Sequence, residues 1–440
     1  MKVTVFPGPL KGAVTILPSK SQLHRLLICA ALADGETVLR SAPTEAEDVS
    51  ATIACLTALG AEITWHDALP PVGGGVPDAP HSGFRIRPID RTALPAHAVL
   101  PCHESGATFR FMLPLVCALG VSGEFHMTGR LPQRPLAPLD AELETHGITL
   151  TRPKPNILRT EGRLQAGEYT LPGNVSSQYI TGLLLALPLL AEDSTLTVKG
   201  AVESADYVRM TLEAAAAFGY APALDKNCYH IRGGKPYRSP GTAEAEGDWS
   251  NAAFWLCAGA MPGGDMGVSG LNPNSTQGDS QIVSVLKRMG AGITWMEDTI
   301  VSVEDTRRAV EIDATAIPDL IPVLSAVAAI SPGHTAIINA ARLRIKESDR
   351  LASTAQTLNA LGAKVTEKPD GLTIEGVPRL TGGTVDAWGD HRIAMMAAIA
   401  STACEEPVTI TGAEAVRKSY PQFWEEVARL GKEVHLVEAV

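Results

Sequence analysis

The sequence has no paired cysteines and no long apolar run, and each absence excludes a class of protein. Its seven cysteines stand singly, without a C-x-x-C pair or a Cys/His cluster, so we expect neither a disulfide framework nor a structural zinc site. The longest apolar runs, such as residues 182–191, are too short to cross a bilayer, and the first residues lack the apolar core of a signal peptide. We therefore expect a cytoplasmic protein.

Basic charge is also scarce, since the formal net charge is -11. Nonspecific nucleic-acid binding needs a broad basic face, so the composition argues against it. The common nucleotide and hydrolase motifs are missing too: no P-loop, no G-x-G-x-x-G after a strand, no G-x-S-x-G and no H-E-x-x-H. ATP use, NAD use, serine hydrolysis and zinc proteolysis are therefore unsupported.

What the chain does have is a repeated helix ending. An apolar-periodic helix, a glycine and a short alternating strand recur six times, at Gly60, Gly147, Gly219, Gly290, Gly362 and Gly431. Successive glycines are separated by 87, 72, 71, 72 and 69 residues. Glycine after the last periodic residue is the expected helix stop. Six copies in 440 residues predict two similar α/β domains, each pseudo-threefold.

A stretch rich in turn residues, RGGKPYRSPGT at residues 232–242, separates the third and fourth copies. Proline and glycine at this density indicate a linker or a crossover between domains. A second crossing is expected after Pro18, where a capping sequence follows. We predict a first, discontinuous domain at 1–19 plus 240–440 and a second domain at 20–239.

The segment RLRIKESDRL at residues 342–351 holds six charged side chains, four of them basic, at the start of a predicted helix. A cation in the first helical turn is disfavoured by the macrodipole unless an anion offsets it. Lys20, Lys346 with Arg350, and Arg392 all occupy or adjoin such turns. An isolated cluster would indicate a solvated helix start, but its recurrence favours binding of small anions.

Nine motifs together resemble the 5-enolpyruvylshikimate-3-phosphate synthase family, the 3-phosphoshikimate 1-carboxyvinyltransferases. In chain order they are LPSKSQLHRLLICAALADG, ESGATFR, QRPLAPL, SSQYITGLLLALPL, GDWSNAAFWL, PDLIP, RLRIKESDRL, DHRIAMM and RKSYPQFWEEV. Each motif is modestly specific alone, but nine in family order are very specific. The resemblance implies two domains of three βαβαββ units each, an inside-out α/β barrel, with the active site in the interdomain cleft.

The implied reaction moves the enolpyruvyl group of phosphoenolpyruvate to the 5-hydroxyl of shikimate 3-phosphate and releases phosphate, without a metal or cofactor. The resemblance implies one set of residues around phosphoenolpyruvate: Lys20, Gly106, Arg134, Gln178, Arg350, Arg392 and Lys418. It implies another set around shikimate 3-phosphate: Lys20, Ser21, Arg25, Ser176, Ser177, Gln178, Ser204, Tyr207, Asp319 and Lys346. These two small-molecule substrates are the expected partners of a monomer that binds neither nucleic acid nor membrane.

Asp319 and Glu347 are the implied acid/base pair, with Lys20 assisting proton transfer or departure of the phosphate. Asp319 lies in an otherwise apolar run, where an uncompensated buried carboxylate is costly. Helix N-capping before Leu320 is the alternative for this residue. Three further residues are expected to support the site by capping and orientation: Asp48, Asp248 and His391.

Three positions depart from the family pattern. Many members carry Asn where this chain has Glu104 and Arg342, and Pro where it has Phe111. Glu104 brings an anion beside a phosphate site, so we expect it to face away or to pair with a neighbouring cation.

Two other functions remain as alternatives. UDP-N-acetylglucosamine enolpyruvyl transferases share the fold and chemistry, but they typically carry a reactive Cys ahead of their Arg-Pro motif. Here GVSGEFHMTGRLPQRP has no Cys, and Cys117 lies in an apolar helix, where we do not expect a low thiol pKa. The other alternative is a noncatalytic anion-binding protein on the same scaffold.

Overall fold

The computed structural model describes residues 1–69, 81–235 and 237–437, with only the backbone of His81. The chain divides into two compact units: a discontinuous unit, Met1–Leu17 with Gly247–Val440, and an inserted unit, Pro18–Glu246. The sequence placed residues 18–19 and 240–246 in the first domain, whereas both stretches belong to the inserted unit. Within the second stretch, Thr242–Glu244 forms a parallel strand with Thr37–Arg40 of that unit. Pro236, within the predicted linker, lies outside the described residues.

The strands and helices follow one another in a regular order along the chain. The discontinuous unit begins with β1 (Lys2–Val5) and β2 (Lys11–Thr15). The strands of the inserted unit are β3 (Thr37–Arg40), β4 (Glu62–Leu69), β5 (His81–Arg87), β6 (His97–His103), β7 (Ser122–Met127), β8 (Ile148–Lys154), β9 (Ile157–Gly162), β10 (Glu168–Pro172), β11 (Ser194–Lys199), β12 (Ala223–Asp225), β13 (Cys228–Ile231) and β14 (Thr242–Glu244). Its helices are α1 (Lys20–Ala31), α2 (Glu47–Ala58), α3 (Gly106–Leu119), α4 (Leu139–Thr145), α5 (Ser177–Ala186) and α6 (Ala205–Ala217).

The discontinuous unit then resumes with the same alternation. Its further strands are β15 (Asp265–Ser269), β16 (Gly292–Met296), β17 (Thr299–Val303), β18 (Glu311–Asp313), β19 (His334–Ile338), β20 (Lys364–Lys368), β21 (Gly371–Glu375), β22 (Gly383–Asp386), β23 (Val408–Thr411) and β24 (Val434–Val437). Its helices are α7 (Trp249–Ala260), α8 (Ile282–Arg288), α9 (Ile321–Ala329), α10 (Arg350–Ala360), α11 (His391–Ala400) and α12 (Phe423–Arg429). Short 3₁₀ helices include Gly278–Gln281, Pro318–Leu320, Ala341–Ile345 and Ala413–Lys418.

Each unit contains three four-stranded sheets in its described part. The strand orders are β14-β3-β5-β4, β6-β7-β9-β8 and β10-β11-β13-β12 in the inserted unit, and β2-β15-β17-β16, β18-β19-β21-β20 and β22-β23-β1-β24 in the discontinuous unit. In every sheet the first pair is parallel and the other pairs are antiparallel. The predicted pseudo-threefold βαβαββ architecture is confirmed.

The six repeated glycines explain why the copies end alike. Each has a positive φ: 103° at Gly60, 91° at Gly147, 76° at Gly219, 91° at Gly290, 90° at Gly362 and 98° at Gly431. Each stands between the second helix of its repeat and the strand that follows it. A residue with a Cβ is disfavoured in this left-handed conformation, so glycine turns the chain from helix to strand at the same point in every copy.

The first helix of each repeat forms the core. Every residue of α7, α9 and α11 is buried, whereas α2 and α10 bury one face only. A helix that is apolar all round must be enclosed by other elements. Its N-terminus can still present unpaired N–H groups, and the predicted site residues concentrate at these helix starts.

Candidate active site

Most of the predicted site residues fall into three groups, which we name by a central residue, while Lys20, Ser176, Ser177 and Ser204 lie outside them. The Asp319 cluster belongs to the discontinuous unit and consists of Asp319, Lys346, Glu347, Arg350, Asp390, Arg392 and Lys418. The Gly106 cluster and the Arg25 cluster belong to the inserted unit. The former consists of Gly106, Arg110, Arg134 and Gln178, and the latter of Ser21, Arg25, Thr181, Tyr207 and Thr211.

Arg350 is the centre of the Asp319 cluster. It is the first residue of α10 and is 1% exposed. Its Nε donates to Asp390 Oδ2 at 2.7 Å, its Nη1 to Asp319 Oδ1 at 2.6 Å and its Nη2 to Glu347 Oε2 at 2.6 Å. Burial lowers the pKa of the guanidinium, but the three carboxylates outweigh that effect and hold its pKa above the ordinary value. Arg350 therefore stays charged and fixes two of the predicted reactive carboxylates.

Asp319 is surrounded by cations rather than capping a helix. Besides Arg350, it lies 3.3 Å from Arg392 Nη2 and 3.6 Å from Lys346 Nζ. The N-cap of α9 is Leu320, and no side chain caps that helix, so the capping alternative finds no support. Burial raises the pKa of the Asp319 carboxyl, but Arg392, Lys346 and Arg350 together hold it well below its usual range. The carboxyl is therefore ionised.

Lys346 and Lys418 complete the positive side of the cluster. Burial lowers the pKa of Lys346 to about 8, against the opposing effect of Asp319. Lys418 Nζ lies 3.8 Å from Glu347 Oε1. The described cluster thus holds four cations against three carboxylates, with a formal excess of one positive charge. A bound anion is stabilised by such an excess.

The Gly106 cluster shows why this position carries no side chain. A Cβ built on Gly106 would lie 2.7 Å from Arg110 Nη1 and 2.7 Å from Arg134 Nη1. Arg110 donates from Nη1 to Gln178 Oε1 at 3.0 Å. Three predicted residues, Gly106, Arg134 and Gln178, are therefore brought together, and two guanidinium groups converge on the N-terminus of α3.

Lys20 is linked to the same helix start through Asp48. The Lys20 Nζ lies 2.8 Å from Asp48 Oδ2, and both side chains are mostly buried. Thr108 of α3 donates to the Asp48 carbonyl at 3.2 Å and to Ser105, the N-cap of α3, at 2.8 Å. Asp48 thus supports a predicted catalytic cation, in keeping with the supporting role expected of it.

Arg25 ties three helices together in the Arg25 cluster. Its Nε donates to Thr211 Oγ1 at 2.8 Å, its Nη2 to the Tyr207 carbonyl at 2.9 Å and to Thr181 Oγ1 at 3.5 Å, and its Nη1 to the Ser21 carbonyl. These bonds join α1 to α5 and α6. One N–H of Nη1 has no acceptor among the described residues.

The charge of Arg25 is compensated by aromatic faces, not by a carboxylate of the described chain. Its guanidinium lies 5.1 Å from the ring centroid of Phe111 and 6.0 Å from that of Tyr207. Burial lowers its pKa to about 10. Phe111, the departure from the usual Pro, therefore packs against a predicted ligand of the shikimate carboxylate.

The predicted phosphate-binding serines lie at helix N-termini. Ser176 is the N-cap of α5 and accepts from Gln178 N at 3.3 Å, and Ser177 is the first residue of that helix. Ser204 is the N-cap of α6, with a positive φ of 54°. α5 and α6 are joined by the 2.8 Å contact between Thr181 Oγ1 and Thr211 Oγ1. Helix N-termini that carry hydroxyls suit a phosphate.

The two other departures have definite surroundings. Glu104 was expected to face away or to pair with a neighbouring cation. Its Oε1 accepts from the backbone N of Arg130 at 3.1 Å, so this hydrogen bond joins it to the main chain of a cationic residue. Arg342 lies in the 3₁₀ helix Ala341–Ile345. Its charge contributes to lowering the pKa of Lys346, after the larger effects of burial and Asp319.

Sequence reasoning missed three residues near these clusters. Asp390 pairs with Arg350, Arg110 holds Gln178, and Asp279 adjoins Asp319 and Arg392 electrostatically. Asp390 and Arg110 stand inside quoted motifs, DHRIAMM and ESGATFR, so their position was a usable signal. Asp279 opens an apolar helix and looks like a common cap.

The cysteines fit none of the reactive roles considered above. All seven are free, and six of them are buried. Burial raises the pKa of Cys117 to about 12, which confirms that its thiol is not activated. Across the described residues no helix combines the length and apolarity that a membrane span requires.

The whole chain is similar to proteins of one known family. The family model described as EPSP synthase (3-phosphoshikimate 1-carboxyvinyltransferase) matches residues 6–427. A 3-phosphoshikimate 1-carboxyvinyltransferase of Clostridium acetobutylicum is 41% identical over 98% of both chains, and one of Clostridium beijerinckii is 41% identical over 97% of both. A solved EPSP synthase structure from Acinetobacter baumannii superposes with a TM-score of 0.77 at 26% identity, over 99% of this chain and 100% of that one.

Proposed function

Because the chain belongs to the EPSP synthase family, we propose that it transfers the enolpyruvyl group of phosphoenolpyruvate to the 5-hydroxyl of shikimate 3-phosphate. Inorganic phosphate is released, and the product serves chorismate and aromatic amino-acid biosynthesis. The observation that carries the proposal is the Asp319 cluster, where one buried arginine fixes two carboxylates beside further cations. A reaction between two anionic substrates needs such cations, and it needs carboxylates that exchange protons.

Phosphoenolpyruvate is proposed to bind the residues that the family resemblance implies: Lys20, Gly106, Arg134, Gln178, Arg350, Arg392 and Lys418. Arg350, Arg392 and Lys418 would supply positive charge. Arginine forks suit the carboxylate, and lysine ammonium groups suit the phosphate as compact charges.

Shikimate 3-phosphate is proposed to bind through the Arg25 cluster and the serine-rich helix starts. The free N–H of Arg25 and the Ser21 hydroxyl would hold its carboxylate. Its phosphate would take the N-termini at Ser176, Ser177 and Ser204, while Tyr207 and Gln178 line the same pocket. Lys346 and Asp319 would meet the side that carries the reacting hydroxyl.

The proposed chemistry is addition followed by elimination. The 5-hydroxyl oxygen bonds to C2 of phosphoenolpyruvate, its proton passes to a carboxylate, and C3 gains a proton to become a methyl group. The C2–O bond to phosphate then breaks, and C3 returns a proton to restore the double bond. Asp319 and Glu347 are the proposed acid/base pair, with Lys20 stabilising the departing phosphate.

The proposal includes the setting in which the enzyme works. We infer a monomeric cytoplasmic protein whose partners are the two substrates, without nucleic acid or membrane. Gel filtration with light scattering should give a mass near the 46.3 kDa of one chain. A mass twice as large would overturn the monomer.

The test of function is phosphate release followed by ³¹P NMR, with phosphoenolpyruvate and shikimate 3-phosphate and with no added metal. UDP-N-acetylglucosamine serves as the parallel acceptor. We expect release with the shikimate acceptor alone. Asp319→Asn and Lys20→Met should each lower the rate by about 10²-fold or more, the usual contribution of a proton-transfer group.

The matched control is Asp265→Asn, which changes an exposed carboxyl at the start of β15 in the discontinuous unit. Its rate should equal that of the unmodified protein. Release with UDP-N-acetylglucosamine instead would establish the other transferase. A folded protein inactive with both acceptors would support the noncatalytic anion-binding alternative.

A further inference from the structure

Asp279 is a buried carboxyl that the proposed mechanism does not use. It lies in the 3₁₀ helix Gly278–Gln281 and is 4% exposed. Its Oδ1 has no hydrogen-bond partner among the described residues. A buried carboxylate oxygen without a partner is costly, and each such group in a native structure requires an explanation.

Asp279 is connected to the Asp319 cluster through one hydroxyl. The Ser250 side chain, in the first turn of α7, is near enough to the Asp279 carboxyl to lower its pKa. Ser250 Oγ accepts from Arg392 Nη2 at 2.7 Å. Arg392 in turn donates from Nη1 to the Asp319 carbonyl at 3.1 Å. The four residues therefore form one group that contains a buried acid and a proposed catalytic one.

The charged groups facing Asp279 come from three neighbouring elements. Asp319 belongs to the 3₁₀ helix Pro318–Leu320, Arg392 to α11, and Asp248 is the N-cap of α7. Burial, and next the negative charge of Asp319, raise the pKa of Asp279 to about 7, although Arg392 and the Ser250 hydroxyl act in the opposite direction. Since Asp319 has three cationic partners, it keeps its charge and Asp279 takes the proton.

We propose that Asp279 is a positioning residue. Acting through Ser250, it determines how strongly the positive charge of Arg392 attracts an anionic substrate. With a neutral Asp279, Ser250 orients the Arg392 guanidinium while its positive charge remains available for an anionic substrate. With an ionised Asp279, a second buried carboxylate competes for that charge. The proposal rests on the assigned function, in which Arg392 binds phosphoenolpyruvate.

The kinetic consequence is a pH-dependent affinity. In the unmodified enzyme the KM for phosphoenolpyruvate should rise roughly three- to tenfold between pH 6 and pH 8, as a new negative charge forms one hydroxyl away from Arg392. Asp279→Asn, which stays neutral, should keep the low KM throughout. The pKa of Lys346 is also near this range, at about 8. Because Lys346 is present in both proteins, the difference in KM between the unmodified enzyme and Asp279→Asn reports on Asp279 alone.

Stability supplies a test that needs no activity. An acid whose folded pKa is raised binds more protons folded than unfolded, so stability falls as pH rises between the two values. Those values are 3.8 and about 7 for Asp279. The melting temperature of Asp279→Asn, relative to the unmodified protein, should therefore increase from pH 5 to pH 7 and level off above that. Asp265→Asn is the control. The difference between its melting temperature and that of the unmodified protein should not vary with pH.

Ser250→Ala provides a second, independent change within this group. It should raise the KM for phosphoenolpyruvate at pH 6 toward the value seen at pH 8, because Arg392 loses its oriented acceptor. An Asp279→Asn enzyme whose KM rises with pH as steeply as the unmodified one would overturn the positioning role. If the difference in melting temperature between Asp279→Asn and the unmodified protein did not change from pH 5 to pH 8, the conclusion that Asp279 is protonated would be overturned. An unmodified protein without phosphate release would refute the assigned function, while the melting experiment would still decide the state of Asp279.

Discussion

Removing Asp390 should destabilise the discontinuous unit more than any exposed carboxylate would. Asp390 is fully buried, and its two oxygens accept from Arg350 Nε at 2.7 Å and Nη2 at 3.2 Å. It also accepts from Ser348 Oγ at 3.0 Å and caps α11 by accepting from Arg392 N at 3.0 Å. Asp390→Ala removes all four bonds and leaves a buried guanidinium short of one counter-ion.

The magnitude follows from two losses. An aspartate N-cap is worth about 1 kcal/mol, and breaking a buried ion pair costs about 3–5 kcal/mol. Arg350 keeps Glu347 and Asp319, so the second loss falls at the low end and the total is about 4 kcal/mol. For a unit of roughly 200 residues this corresponds to a fall in melting temperature of about 8–16 °C.

Asp349→Ala is the matched control. Asp349 caps the neighbouring α10 by accepting from Ala352 N at 3.2 Å, and it pairs with Arg344 at 2.9 Å, but its side chain is 37% exposed. An exposed pair adds at most about 1 kcal/mol to the cap's contribution of about 1 kcal/mol, so the expected shift is about 2–8 °C. Thermal unfolding by circular dichroism and calorimetry at pH 7 measures both. Equal shifts in the two variants would refute the assignment of the difference to the buried pair.

Two further outcomes follow from single contacts. Gly106→Ala should raise the KM for phosphoenolpyruvate roughly tenfold, since its Cβ would displace Arg110 and Arg134. The KM for shikimate 3-phosphate should change less, because within the Gly106 cluster only Gln178, which Arg110 holds, is shared with that substrate. Steady-state kinetics with each substrate varied measures both. Burial lowers the pKa of Lys432 to about 7, so stability should rise with pH from 7 toward 10 by up to about 4 kcal/mol, because the unfolded chain binds the extra proton. Lys432→Met should abolish that rise in urea titrations at several pH values, and an unchanged slope would contradict it.

The architecture was largely predictable because its signals are local. A glycine after an apolar-periodic helix specifies a left-handed turn wherever it occurs, and the even spacing of Gly147, Gly219, Gly290 and Gly362 needs no tertiary information. The domain boundary depends instead on a nonlocal pairing, that of β14 with β3. No pattern within residues 240–246 could indicate that partner, about 200 residues earlier in the sequence.

The structure adds the surroundings of the proposed site residues, which the sequence does not show. Asp319 was expected in the acid/base pair, with helix capping as the alternative, and only the structure shows that its carboxyl pairs with Arg350, Arg392 and Lys346. Burial decides the behaviour of Asp279 in the same way, because an identical carboxyl at an exposed helix start would be an ordinary cap. Such burial results from packing of α7 and α11, which are distant in the sequence.

Two of the three carboxylates that pair with Arg350 are those proposed to transfer protons. Arg350 stands in a first helical turn, where the macrodipole disfavours a cation, and the described chain offsets this with Asp319, Glu347 and Asp390. An anionic substrate group bound by Arg350 and Arg392 would weaken the effect that holds the pKa of Asp319 low. Its pKa must then rise toward the working pH. Binding of the anion would thereby convert a structural counter-ion into a group able both to accept and to return a proton.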